Sequence, residues 1–185
     1  MASSPTLAHR YFFALKPDEE TARRTYAFAE EALGSHGLLP PAHHHVTLGL
    51  TEDFAQEPAA LVERLRRAGA SVAAAPFALL LDRLVGSHRT VALRPGHAVP
   101  LLQDLQRQIA AAMAAQGIAM RQGWSFSPHE TLAYRKEEPF SRRVTGFRWD
   151  VVDFVLVHSH VGLTRHETIG RWPLRPVEPA QFSLL

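Results

Sequence analysis

Two segments, His45-Val46-Thr47-Leu48 and His129-Glu130-Thr131-Leu132, repeat one four-residue pattern 84 positions apart. In an extended chain, residues two apart project from the same face, so each segment offers an imidazole and a hydroxyl on one side and a leucine on the other. The composition includes 11 His, 10 Thr and 23 Leu in 185 residues. At those frequencies His-x-Thr-Leu is expected by chance about 0.07 times. Its duplication therefore constrains the chain to place two strands, each with a polar catalytic face and an apolar backing. A third, partial copy, His166-Glu167-Thr168-Ile169, ends in Ile and runs directly into Gly170-Arg171-Trp172-Pro173; it reads as an edge strand with outward His and Thr.

The residues around the two motifs mix helical and extended signals. Arg10 to Lys16 reads as a buried strand, and Pro17-Asp18-Glu19-Glu20 opens a helix carried by Ala22, Tyr26, Ala29 and Leu33. Pro40-Pro41 breaks the chain before a strand from His43 to Leu50. A second helix carries Leu61, Leu65 and Ala68. Phe77 to Val85 and Thr90 to Leu93 are strands joined by a turn at Gly86-Ser87-His88-Arg89. A third helix runs from Pro100 to Gly117 through Leu102, Leu105, Ile109 and Met113. Trp124 to Phe126, Trp149 to His158 and His160 to Leu174 read as further strands, and Pro139 to Gly146 as a mobile loop. Without a regular strand-helix alternation, the fold class is α+β.

Composition narrows the chemistry. Apolar residues make up 46% and charged residues 21%, enough for a sizeable core. There is no cysteine, which removes disulfides, thiolate nucleophiles and cysteine metal sites. The longest apolar stretch, Val72 to Leu81, falls well short of a membrane span, and Met1 to Arg10 shows no secretory pattern. A cytoplasmic location is the default expectation. A net charge of +2 is small for a duplex-binding protein. Eighteen of the twenty basic residues are Arg, leaving Lys16 and Lys136 as the lysines.

With both motifs in view, the chain resembles the 2H phosphoesterases, and among them the bacterial RNA 2′,3′-cyclic phosphodiesterases, also called 2′-5′ RNA ligases. The resemblance runs through Arg10-Tyr11-Phe12-Phe13-Ala14-Leu15, the segment Pro40 to Leu50, and Phe126-Ser127-Pro128-His129-Glu130-Thr131-Leu132. It continues in Phe154-Val155-Leu156-Val157-His158-Ser159 and Gly170-Arg171-Trp172-Pro173-Leu174. It implies one bilobal unit over residues 1–185. Two pseudo-symmetric lobes of mainly antiparallel sheet, with helices on the outer faces, would flank a central cleft. It also implies chemistry without metal or other cofactor, with His45 as proton donor and His129 as proton acceptor. Two imidazoles titrating near neutrality suit those roles, because opening a cyclic phosphodiester needs one group to deprotonate water and one to protonate the leaving oxygen. Thr47 and Thr131 would donate to the phosphate oxygens, with Arg135 as a candidate phosphate cation. The expected partners are RNA ends or small nucleotides bearing a cyclic phosphate, met by a monomer.

The sequence departs from the family at Gly49-Leu50-Thr51 and at His166, where aromatic residues are common; cleft wall and base stacking are affected. Other residues have simpler readings. His43 and His45 offer alternate-position metal ligands, but no acidic or His partner sits nearby in sequence to complete the set. His44 should face the core, Glu130 should point away from the cleft, and His158 and His160 read as structural or cleft-edge histidines. Phe12, Phe13 and Phe126 are aromatic residues of apolar strands, more often core than base platforms. Ser127 and Ser159 lack a nucleophile elbow. The competing class is a noncatalytic RNA- or nucleotide-binding module on the same fold, which retention of both His-Thr pairs argues against.

Overall fold

The computed structural model describes residues 8–176. The segments Met1 to Leu7 and Val177 to Leu185, which hold most of the stretch read for a leader and the Pro-containing end of the chain, lie outside the described residues. The strands are β1 (Ala8–Leu15), β2 (Val46–Leu50), β3 (Phe77–Gly86), β4 (Thr90–Arg94), β5 (Glu130–Tyr134), β6 (Phe140–Val151), β7 (Asp153–Val161) and β8 (Arg165–Pro173). The helices are α1 (Glu19–Leu33), α2 (Ala59–Ser71) and α3 (Pro100–Ala115). All eight strands form one antiparallel sheet in the order β6-β3-β4-β5-β2-β1-β7-β8, so the fold is α+β.

The order is a repeat reflected about its middle. Each half contains a strand, a helix and a motif strand, β1-α1-β2 and β4-α3-β5, and the two motif strands meet at the centre through the pair Val46↔Glu130. The halves interlock, because α3 packs on β2 and α1 on β6. A further constraint closes the sheet. β6 and β7 stand near opposite ends of the strand order, yet only Val152 separates them, and two peptide units span no more than about 7 Å. The sheet therefore curls until its outer strands approach one another. Leu174 N–H donating to Val152 O and Arg175 N–H to Ala74 O, at 2.8 and 2.9 Å, tie the ends together.

Local sequence accounts for the helices. Asp18 caps α1 by accepting from Thr21 N–H at 2.8 Å, and α3 starts at Pro100, whose missing N–H would be unpartnered in the first turn anyway. Leu102, Leu105, Ile109 and Met113 form its buried stripe. Strand alternation separates two faces. Tyr11, Phe13 and Leu15 join the main core, whereas Phe12 and Ala14 pack with Val155 and Val157 on the other face.

Four expectations change. Trp149 to His158 is two strands, since Val152 breaks the run although no Gly or Pro marks it in the sequence. Phe140 to Gly146 belongs to β6, whose pairing with β3 orders the expected mobile loop, and Trp124 to Phe126 is not a strand. His43 lies in a short 3-10 turn (Pro41–His43), so β2 begins at Val46 rather than His43.

Candidate active site

Each motif histidine sits immediately before its strand and is held in the same way. The His45 Nδ1–H donates to the His43 carbonyl at 2.6 Å, and the His129 Nδ1–H donates to the Ser127 carbonyl at 2.7 Å. A carbonyl only accepts, so both Nδ1 atoms carry the proton and both Nε2 atoms are left to the cleft. The strands that follow share an irregularity as well. β1 pairs Phe13 with Gly49 and Ala14 with Thr47, bulging out Leu48; β4 pairs Val91 with Ala133 and Ala92 with Thr131, bulging out Leu132. Both leucines are fully buried while both threonines are half-buried, as the period-two reading requires.

The bulge also explains Gly49. Leu48 and Gly49 both turn toward the helices, and a Cβ on Gly49 would stand 3.0 Å from Met120 Cε and 3.1 Å from Met113 Sδ. That glycine is a close approach of α3 to β2, and the cleft wall at this point is Leu50, whose counterpart in β5 is Tyr134. The same register aligns Lys16 with Arg94. Lys16 Nζ donates to Ala42 O at 2.8 Å and Arg94 donates to Ser127 Oγ at 2.5 Å, so a cation at the end of the neighbouring strand braces the segment that precedes each histidine.

A cavity of about 310 Å³ receives His45, Thr47, His129 and Thr131 together. Among the described residues lining it there is no carboxylate. Burial, followed by the charges of His166, Lys16 and His129, pushes His45 down to about 3, although its bond to the His43 carbonyl acts in the opposite sense. Burial and the charges of His43, Lys16 and Arg10 push His166 down to about 4. Without a carboxylate in its lining and with Arg10 at its edge, the cleft offers an anion no like charge to oppose it.

His166 belongs to this site, contrary to its reading as an outward residue. β8 is an edge strand, but its register with β7 sets His166 opposite Ser159, and the ring stacks on His43 at 4.4 Å and meets Phe12 and His45 edge-on. Phe12 is nearly buried and stacks on His45 at 4.8 Å, while Phe13 is core. Phe126 packs against the core. Trp124 and Tyr134 supply the cleft's other aromatic faces, and sequence reasoning passed over both. Exposure of a large aromatic, 65% for Tyr134, becomes visible only in the folded chain. Ser127 and Ser159 line the cleft too.

Arg135 is elsewhere. Its guanidinium donates to the Leu33 carbonyl at the end of α1 and pairs with Glu137 at 2.6 Å, so it caps a helix instead of lining the cleft. Arg10 reaches the cavity, but its fork is engaged by Asp53 at 2.6 and 2.7 Å. The alternate-position metal reading of His43 and His45 also fails, because His43 is not on the strand. Among the described residues, three donors within 4.8 Å of one another are found at His9, His158 and His160 instead.

His44 and Glu130 face the core, as expected, and there they meet. His44 Nδ1 lies 2.9 Å from Glu130 Oε1, with the two side chains 0% and 1% exposed, and His44 Nε2–H donates to Leu39 O at 3.2 Å. One residue precedes His45 and the other follows His129, so this buried pair links the two motifs directly behind the cleft. Removing either partner would leave the other's polar atoms buried without a counterpart, so His44 bears on stability as well as packing.

Comparison with known proteins agrees with this fold. The family model described as the 2′-5′ RNA ligase superfamily matches residues 12–163. E. coli LigT in complex with 3′-AMP is 21% identical, with a TM-score of 0.73 over 90% of this chain and 98% of that one. The protein TT0787 of Thermus thermophilus is 22% identical, with a TM-score of 0.66 over 90% and 98%. The MHV ns2 PDE domain is 16% identical, with a TM-score of 0.53 over 77% and 97%. A search of curated protein sequences finds no match. No helix among the described residues is long and apolar enough to cross a membrane. With a family match that spans both His-x-Thr segments and the strands that carry them, the chain belongs to the 2′-5′ RNA ligase superfamily.

Proposed function

We propose that the protein is a metal-independent phosphodiesterase that opens 2′,3′-cyclic phosphates of RNA ends or nucleotides to 2′-phosphates, working as a cytoplasmic monomer. Opening of the same ring by a 5′-hydroxyl in place of water, with the same break of the bond to the 3′ oxygen, would form a 2′-5′ linkage. The observation that carries this reading is the pair of identically tethered imidazoles, each with its threonine, lining one cleft without a carboxylate. E. coli LigT has been solved with 3′-AMP, ATP, NADP+ and phosphate, ligands of the class proposed here.

In the forward direction His129 Nε2 removes a proton from water as the oxygen attacks phosphorus. The bond from phosphorus to the 3′ oxygen breaks, and that oxygen takes its proton from His45. Thr47 and Thr131 donate to the nonbridging oxygens, where charge accumulates. In the free cleft His45 is neutral, since its value is pushed down to about 3. Its donor role therefore requires the phosphate and the proton to arrive together, the anion favouring the charged imidazolium that burial disfavours in the free cleft.

Turnover of a 2′,3′-cyclic nucleotide in EDTA tests the reading, with phosphorus NMR to identify a 2′-phosphate product. Complete loss of activity in EDTA, restored by a divalent ion, would overturn the mechanism. Tight nucleotide binding without turnover would select the noncatalytic module.

A further inference from the structure

We propose that His9, His158 and His160 form a binding site for a borderline transition-metal ion, zinc above all, on the sheet face turned away from the catalytic cleft. The three side chains come from two neighbouring antiparallel strands, with His9 directly opposite His160 and Tyr11 opposite His158. Strand alternation fixes their side of the sheet. His9 shares a face with Tyr11 and Phe13, and His158 and His160 share one with Phe154 and Leu156, all four of these being main-core residues. Arg10 and Ser159, the intervening residues, line the cleft on the other face.

The geometry is that of ligands before an ion draws them together. One ring nitrogen from each histidine lies within 4.8 Å of the other two, and His9 Nδ1 is 2.8 Å from His158 Nε2. Tetrahedral zinc with nitrogen at about 2.0–2.1 Å separates its donors by about 3.3 Å, a value these distances bracket. Small ring rotations close the difference. Hydrogen bonding inside the cluster does not account for all three residues. The His9–His158 contact satisfies those two nitrogens, but His160 Nε2 is buried without a hydrogen-bond partner. A metal ion supplies the one partner that all three lone pairs share.

Glu167 stands by for a fourth position. Register places it opposite His158, and its Oε1 lies 3.6 Å from His160 Nε2 while ion-paired with Arg165. Three imidazoles with a carboxylate or water suit zinc, nickel or copper and discriminate against magnesium and calcium, which favour all-oxygen shells. The ion would clip β1 to β7 beneath the Tyr11 ring, which stacks on His158 at 4.6 Å. It would supply no atom to the reaction on the opposite face, so this site and metal-independent catalysis are compatible.

Chelator-treated, untagged full-length protein titrated with zinc chloride should bind one ion per chain by calorimetry. Its Tm should rise by roughly 5–10 °C at a zinc concentration about a hundred times Kd, with no response to magnesium. His9→Gln and His160→Gln should each weaken zinc binding at least about a hundredfold, whereas His43→Gln should leave it intact. Zinc binding that survives both His9→Gln and His160→Gln, or that disappears in His43→Gln, would move the ion to the cleft and overturn the proposal. Anomalous scattering from a zinc-soaked crystal locates the ion without any substitution, and absence of zinc binding by the native chain refutes the site outright. Because the readout is metal binding, loss of phosphodiesterase activity would leave this test unaffected.

Discussion

The two halves of the sheet use one device in two environments. In each, a histidine ahead of the motif strand is tethered through Nδ1 to the carbonyl two residues back, a threonine shares its side, a bulge turns the leucine into the core, and a cation braces the preceding segment. Around His45, however, Phe12 and His166 pack closely and exclude water, and the imidazole is pushed down to about 3. Around the second motif the wall is Trp124 and the exposed Tyr134, which occupies the position that Leu50 holds in the first half. Pseudo-symmetry therefore duplicates the tethered His-Thr arrangement, while the surrounding side chains set a buried histidine in one half against an exposed aromatic face in the other.

The comparison is broken most severely if the two histidines are unequal. His45→Ala and His129→Ala should each lower turnover of a 2′,3′-cyclic nucleotide by about a hundredfold to ten-thousandfold, with the double variant little worse than either single. Near-native turnover in either single variant would mean that the halves do not act as a pair. Thr47→Val and Thr131→Val should reduce turnover by roughly tenfold to a thousandfold while preserving a bell-shaped pH profile, because they remove a donor to the phosphate and leave the proton carriers in place. Full activity in both would dissolve the shared phosphate site.

Smaller effects sharpen the difference between the halves. Tyr134→Ala should raise KM for a nucleotide by about tenfold with kcat nearly unchanged if the ring stacks on a base, and Leu50→Ala should change it far less. Equal responses would remove the assignment of the open half to base recognition. For protons, calorimetry of phosphate binding near pH 7 in buffers of different ionisation enthalpy should show uptake approaching one proton, lost in His45→Gln. No uptake would make His45 the base and pass the donor role to His129.

Acid stability follows the same asymmetry. His45 and His166 have folded values near 3 and 4, below the ordinary histidine value near 6.5, so the unfolded chain binds protons that the folded chain refuses between those limits. Their contribution to stability is complete above about pH 7 and declines as pH falls through 6.5 toward 4 and 3. Thermal unfolding at pH 7 and pH 5 should show a lower Tm at pH 5, and His166→Gln should narrow the gap. An unchanged gap would show that His166 titrates normally in the folded chain.

Much of this was legible in the sequence because it is local. Period-two alternation gave the faces of Thr47 and Leu48, and of Thr131 and Leu132, and a proline start and a leucine stripe located α3. Gly86 to Arg89 marked a real turn between β3 and β4. Other boundaries were illegible for a physical reason. Val152 joins β6 to β7 with no Gly or Pro beside it, and the break is imposed by the pairing of β6 with β3 and of β7 with β8.

Which residues share a face follows from the chain alone, because side-chain direction along a strand is set by the backbone within a few residues. Which faces meet is a matter of long-range pairing. The sheet order brings residues 45 and 129 to its centre, turns His166 of an edge strand into the cleft, and withdraws Arg135 to the end of α1. It also gathers His9, His158 and His160 from opposite ends of the chain. These are consequences of strand pairing and sheet curvature, interactions between segments that no local periodicity encodes.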